Sequence, residues 1–295
     1  MNAMAPRIIR GSLVRWSIVI PVYNEADFLP QTLTSIIAQT TAFHLIIVDN
    51  GSTDGCIDDA RKQLVKHRGK VTFLHEPRPG QVYALQTGIA AVENEFTAIC
   101  DADTYYPPHY LAAATSLFDA KGAGYVAACA YLRREGLYKD LRSMMHRLLA
   151  ARILPHQNHT SGAAQTFRTS ALQAAGGYDP SLWPYVLKDH ELMHRVLKRG
   201  RQVYHSDFWC TTSDRRADRS NVRWTLAERL VYHLTPRSRQ HDFFYRFLAN
   251  RFDAVGSAIP CFVNASGPSH DCSHYPLCAS RFARFKAGAK ALVYL

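Results

Sequence analysis

No apolar run in this sequence approaches the roughly 20 residues that cross a bilayer, so no membrane-spanning helix is predicted. Residues 1 to 15 are basic but lack a contiguous apolar core, and no secretory leader is read there. Glycine is missing where phosphate-binding loops need it. After the first apolar strand the chain runs Tyr23-Asn24-Glu25-Ala26-Asp27, acidic and glycine-free, which argues against a nucleotidyltransferase loop. The absence of a G-x-G-x-x-G turn there argues equally against a dinucleotide-dependent oxidoreductase. Standard zinc spacing is also lacking: Cys272 and Cys278, with His270 and His274, fit no common module. The seven cysteines are read as reduced thiols of a cytoplasmic protein.

Acidic residues are scarce in one region. Between residues 215 and 251 nine arginines face only Asp218, Glu228 and Asp242, and this stretch carries much of the net charge of +11. Such an excess suits polyanionic partners: nucleic acid, an anionic membrane or phosphorylated substrates. At 295 residues with 47% hydrophobic and 20% charged content, the chain can build one large α/β domain with an appendage.

Residues 16 to 131 alternate strand and helix signals. Strands are predicted at Trp16 to Val22, Phe43 to Val48, Val71 to Leu74 and Phe96 to Cys100. Helices are predicted around Leu29, Leu33, Ile36 and Ile37, then at Asp54 to Lys66, Gly80 to Val92 and Tyr110 to Phe118. This rhythm predicts a parallel sheet with helices on both faces, whose ligands bind beyond the carboxyl ends of the strands. Asn24-Glu25, Asp49 and Asp101 all stand at such ends. From residue 132 the alternation weakens. A helix is predicted at Leu137 to Leu154, a loop at His156 to Ser161 and a turn at Gly176-Gly177. A short helix is predicted at Asp189 to Lys198, one strand at Val203 to Cys210, and two basic helices after Arg219.

The fourth strand ends in Asp101-Ala102-Asp103. In extended chain, residues i and i+2 face one side, so the two carboxylates can converge and repel unless a cation relieves them. A hard divalent ion carried in with substrate phosphates meets that need. In the segment Asp49-Asn50-Gly51-Ser52 an Asx contact is predicted, with Ser52 or Thr53 capping the next helix. Asp54 is read as a charge of that helix's first turn.

The ordered set of Ile20-Pro21-Val22-Tyr23-Asn24-Glu25, Val48-Asp49-Asn50-Gly51-Ser52-Thr53-Asp54, Arg78-Pro79-Gly80-Gln81 and Asp101-Ala102-Asp103 resembles the signatures of family-2 glycosyltransferases. The resemblance covers roughly residues 16 to 110. It implies a GT-A fold, a Rossmann-like and mostly parallel sheet. It further implies a glycosyltransferase domain over 16–218, with a donor half (16–131) and an acceptor half (132–218), between an extension (1–15) and a C-terminal basic helical region (219–295). Pro21, Tyr23, Glu25, Asp49, Gly80, Asp101 and Ala102 become donor-site positions, and Asp103 with Asp101 becomes the site for Mg²⁺ or Mn²⁺. Carboxylates at strand ends suit nucleobase N–H groups and ribose hydroxyls.

In the second half the resemblance points to Gly176-Gly177-Tyr178-Asp179 and to Lys188-Asp189. The family opens this helix with Glu-Asp, and its Asp deprotonates the acceptor hydroxyl; here Lys188 replaces the first acid and Asp189 remains. Glu191 is expected to pair with Arg195, and Ser161-Gly162-Ala163-Ala164-Gln165 is read as a flexible small-residue turn admitting the sugar. Arg215 and Arg216 are candidates for the diphosphate, and His205 for a third metal ligand beside the alternative of a partly buried strand histidine. Ser220 to Trp224 resembles a box of processive synthases but lacks its glutamine.

The implied reaction moves a sugar from a UDP- or GDP-sugar to an acceptor hydroxyl, with inversion if Asp189 is the base; a retaining course is the alternative. The acceptor class is left open between lipid-linked and polysaccharide hydroxyls. The basic helices suit peripheral contact with the inner face of an anionic membrane, and a homodimer is a further reading. A purely binding module for membrane or nucleic acid is the non-enzymatic alternative, with nucleic acid not expected.

Overall fold

A computed structural model describes residues 14–133, 137–185, 187–213 and 225–254. Seven strands form the main sheet in the order β3-β2-β1-β4-β8-β6-β9. They are β1 (Trp16–Val22), β2 (Phe43–Asp49), β3 (Val71–His75), β4 (Phe96–Ile99), β6 (Tyr125–Cys129), β8 (Gln165–Arg168) and β9 (Arg201–Val203). Every residue of β1 is buried, as a central strand covered on both faces must be. β1 pairs in parallel with β2 and β4, and β2 with β3, so these four strands end at one edge. β8 runs antiparallel between β4 and β6.

The alternation of side chains sorts the two faces. Ile18, Ile20 and Val22 join Leu45 and Ile47 in a core with α1 (Leu29–Ile37), α2 (Cys56–Leu64) and α4 (Tyr110–Lys121). Val19 and Val48 face α3 (Gln81–Ala90), where Gly88 lets the helix approach so closely that a Cβ would overlap Val19. The predicted parallel core with helices on both faces is therefore present, apart from the reversed β8.

The chain builds β2 and β3 to one side of β1 and then crosses to β4 on the other. This change of direction opens a crevice at the carboxyl ends of β1 and β4, where ligands of open α/β sheets bind. A three-stranded sheet of β5 (Thr104–Tyr105), β10 (Trp209–Thr212) and β7 (Tyr131–Leu132) lies beyond it. The single strand expected over 203–210 is instead two strands of different sheets. Backbone bonding stops at Val203 and resumes at Trp209, with His205 on the turn between.

Beyond β7 come α5 (Leu137–Ile153), α6 (Thr169–Ala174), α7 (Lys188–Val196) and α8 (Leu226–Leu234). α9 (Gln240–Asp242) continues through a π-helical turn (Phe243–Leu248) into α10 (Ala249–Ala254). Phe243, Phe244, Leu248 and Phe252 turn inward and share a core with Trp183, Tyr185 and Tyr232. Among the described residues no helix is long and apolar enough to cross a membrane.

Candidate active site

The loops after β1 and β2 fix each other. Asn24, held at φ 50°, accepts a bond from Thr53 N through Oδ1 (2.8 Å), and its own N–H donates to Ser52 Oγ (3.2 Å). Asp49 Oδ1 accepts from Ser52 N at 2.8 Å, the predicted Asx contact. Ser52 and Thr53 do not cap α2 as expected: Gly55 precedes that helix at φ 80°, and Asp54 Oδ1 accepts from Cys56 N (3.1 Å). Asp54 Oδ2 also accepts from Ala26 N (2.9 Å), so this acid ties two loops together. Pro21 and Tyr23 flank the end of β1, and Glu25 is buried at the start of the segment that leads into α1.

Asn50 shapes one edge of the site, a part that the motifs did not single out. It is buried, its Nδ2 donates to the carbonyls of Glu76 (2.8 Å) and Arg78 (2.7 Å), and its Oδ1 accepts from Gly80 N (2.8 Å). One side chain thereby shapes the loop after β3, where Gly80 stands at φ 131°. Glu76 completes that loop with a two-point pair to Arg78 and a bond from Thr87. The Arg78 guanidinium holds the Glu76 carboxyl down at about 2, against the opposing effect of burial.

Asp101-Ala102-Asp103 leaves the sheet as a turn, not as extended strand, and different elements anchor its two acids. Asp101 Oδ1 accepts from Gln81 Nε2 (3.3 Å), and its N–H donates to Tyr106 Oη (2.9 Å), which in turn donates to Ala163 O (3.0 Å). Asp103 is 7% exposed; its carboxylate accepts from Ser213 Oγ (3.1 Å) at the end of β10 and from Thr104 Oγ1 (3.4 Å). Buried Ala102 sits between, its carbonyl held by Thr32 Oγ1 at 2.8 Å. Two carboxylates on one short turn are hard oxygen donors that suit a divalent ion sharing substrate phosphates. Among the described residues no three of His, Cys, Asp and Glu gather as a protein-only metal cage. His205 does not join the aspartates: it is half-exposed, and its Nδ1 accepts from Asp207 N (3.2 Å) within its own turn.

Asp189 lies in the first turn of α7, where the helix terminus favours negative charge. Tyr178, buried on the Gly176-Gly177 turn, donates its hydroxyl to Asp189 Oδ1 at 2.8 Å. Burial pushes the Tyr178 phenol well above its ordinary range, and the negative charges of Asp189 and Asp101 push it further. Asp189 also lies beside Gly162, next to the Ala163 carbonyl that Tyr106 joins to Asp101, so the fourth strand tip and the acid of α7 stand near one another. The segment Gly162–Ala164 is a buried 3₁₀ turn, not a flexible one. Its small size serves Asp189: a Cβ on Gly162 would stand 2.5 Å from Asp189 Oδ1. Glu191 pairs with Arg195 as predicted (2.6 Å), but in the interior, where it also accepts a bond from Tyr245. Arg215, Arg216, the Ser220 to Trp224 box and the Cys272/Cys278 group lie outside the described residues.

The chain is similar to several known proteins. A 33% identical stretch of 103 residues matches an uncharacterised glycosyltransferase of Nostoc sp., covering 35% of this chain and 32% of that protein. A pre-mycofactocin glycosyltransferase of Mycobacterium tuberculosis is 27% identical over 225 residues, 73% of this chain and 45% of the relative. The chain spans about a third of the length of the first relatives it matches. In fold it is similar to a mannosyltransferase of Pyrobaculum calidifontis, solved with GDP-Man and Mn²⁺ (TM-score 0.62, 20% identity, 95% of this chain and 81% of that one). It is also similar to S. aureus TarS 1–349 (TM-score 0.58, 18% identity, 84% and 81%). The model of glycosyl transferase family 2 matches residues 17–176, more than half of the sequence, and the chain belongs to that family.

Proposed function

We propose that this chain transfers a sugar from a nucleoside-diphosphate sugar to an acceptor hydroxyl with inversion, and that Asp189 is the general base. The observation that carries the reading is the run of contacts from Asp101 through Tyr106 to Ala163, beside the Gly162 against which Asp189 packs. Glu25 and Asp49 bind the nucleoside side of the donor, and Asp101 its ribose. Asp103, with Asp101, holds Mg²⁺ or Mn²⁺. When bound, the ion neutralises the charge of the departing diphosphate. Family neighbours solved with GDP-Man and Mn²⁺, and with UDP-GlcNAc, support a GDP- or UDP-sugar donor.

Residues 16–131 hold the donor in this reading, and 132–218 the acceptor. Tyr178 occupies Asp189 Oδ1, which leaves Oδ2 to accept the acceptor's proton. The acceptor oxygen forms a bond to the anomeric carbon from the face opposite the diphosphate, and that carbon's bond to the diphosphate oxygen breaks. Only one carboxylate within hydrogen-bond reach is needed, so Lys188 in place of a second acid does not prevent the step. The acceptor hydroxyl belongs to a lipid-linked or polysaccharide substrate of the cell envelope. The basic chain works on the cytoplasmic side of an anionic membrane.

The test is release of nucleoside diphosphate across a panel of UDP- and GDP-sugars with Mn²⁺ or Mg²⁺, with the anomeric configuration of the product read by NMR. Asp189→Asn is expected to lower turnover by about 10²- to 10⁴-fold while donor binding persists. Asp103→Ala is expected to abolish the response to metal. An active Asp189→Asn enzyme moves the base elsewhere; an active, metal-responsive Asp103→Ala enzyme removes the metal assignment.

A further inference from the structure

We propose that the outer face of α5 is a docking surface for an anionic phospholipid bilayer. The inference rests on the membrane partner proposed above and names the face that meets it. Tyr138, Leu141, Met145, Leu149 and Ile153 recur at spacings of three and four and form one stripe along the helix. A helix of a water-soluble domain turns such a stripe into the core; here all five side chains are exposed, by 45% to 78%. The inward side is mixed, with half-buried Met144 and Leu148 beside polar groups. Asp140, the helix's only acid, is 7% exposed and paired with Arg133 at 3.1 Å, and Arg147 donates to Asn158 (2.7 Å) and to His159 O (3.0 Å).

Lys139, Arg142, His146 and Arg152 stand exposed beside the stripe, so the outer face of α5 is apolar and cationic without a negative charge. α8 repeats the arrangement. Leu226, Leu230, Val231 and Leu234 are exposed by 41% to 84%. Its only acid, Glu228, is buried in a capping box with Thr225 and an ion pair with Arg251. The turn after α5 meets the C-terminal end of α8, since Gln157 Nε2 donates to the carbonyls of Tyr232 and Thr235 at 2.8 Å each. A cleft of about 420 Å³ at that corner is lined by His156, Lys198, Arg237 and His241, among others, with no acid in the lining.

An apolar stripe edged by cations is the pattern of a helix lying in the plane of a membrane interface. A second copy of the chain fits poorly, because a two-fold contact would set these cations against themselves. Acidic headgroups supply the missing charge, and the cleft accepts a headgroup phosphate.

Co-sedimentation with vesicles reads this directly and needs no sugar transfer. Wild type is expected to bind vesicles of phosphatidylcholine and phosphatidylglycerol in equal parts, to ignore phosphatidylcholine alone, and to release as salt rises. The double variant Met145→Glu/Leu149→Glu, checked by circular dichroism for an unchanged fold, is expected to bind at least about tenfold more weakly. Val65→Glu, placed at an equally exposed apolar position (79%) beyond the end of α2, is expected to bind as wild type does. If wild type binds neither vesicle, this surface and the membrane partner both fall. If wild type binds but the double variant binds equally well, the partner stands and this surface falls. A wild-type dimer that the double variant dissolves, without lipid binding, reassigns the face to self-association and overturns the proposal.

Discussion

The two proposed halves, donor and acceptor, hold their acids in different ways. In the donor half the carboxylates and amides stand on loops at strand ends, and bonds to main-chain groups of their own and neighbouring loops hold Asp49, Asn50 and Asp54. Asp49 binds Ser52 N three residues away, and Asn50 reaches Gly80 N thirty residues on, in the loop after β3. In the acceptor half Asp189 stands on a helix. A phenol eleven residues upstream holds it, and a glycine twenty-seven residues upstream leaves it room. The strand-tip acids are held by bonds among loops that the sheet brings to one edge, whereas Asp189 is held by a phenol and stands in room beside a glycine that a single methyl group would fill.

The sharpest way to break this contrast is Gly162→Ala. The added methyl would crowd Asp189 Oδ1 at 2.5 Å, and the carboxylate must turn away from the position proposed for the base. Transfer is expected to fall about 100-fold, since displacement of a reacting group by around 1 Å has that effect. Calorimetry is expected to find donor affinity unchanged; an equal loss of donor affinity would mean that the halves are not separable in this way.

The corresponding change in the donor half is Asn50→Ala, which strands three buried main-chain partners. A loss of about 2 to 3 kcal/mol in urea unfolding is expected, together with weaker donor binding. Full stability with normal donor binding would show that the loop after β3 holds itself.

The smallest effect concerns acid. Burial, aided by Lys198, His241 and Arg195, lowers the His194 pKa from its ordinary 6.5 to about 4, and His159 lies well below 6.5 for the same first cause. Unfolding lets these imidazoles take up protons between those values, so stability drops as pH falls from 6.5 toward 4. For His194 the loss one unit below 6.5 is about 1 kcal/mol, and urea midpoints from pH 7 to 5 would measure it. Among the described residues before β7 the buried histidine is His44, which its own burial also lowers. Midpoints that do not move with pH would remove the histidines from the stability of the acceptor half.

Much of the donor half was legible because its signals are local. Trp16 to Val22 reads as a buried strand from seven residues, and the Asp49-to-Ser52 contact follows from a turn of four. Asn50 was less visible, since nothing in its neighbours says that it will reach the loop after β3. In the acceptor half the helix of Asp189 was readable from Leu192 and Val196, and the Glu191–Arg195 pair from its i,i+4 spacing. The division of 203–210 between two sheets was not, because an apolar run of that length does not say which neighbour will pair with it.

Periodicity, turn residues and four ordered motifs therefore determined the α/β class, the family and the strand-tip acids, since each depends on chain within a few residues. Tertiary structure alone decided that Asp101 and Asp103 would be anchored by different elements, that Tyr178 and Gly162 would position Asp189, and that α5 would turn its apolar side outward. These are matters of which surfaces meet. That choice is made by packing between distant segments, where the free energy belongs to the pair of surfaces and is written in neither one alone.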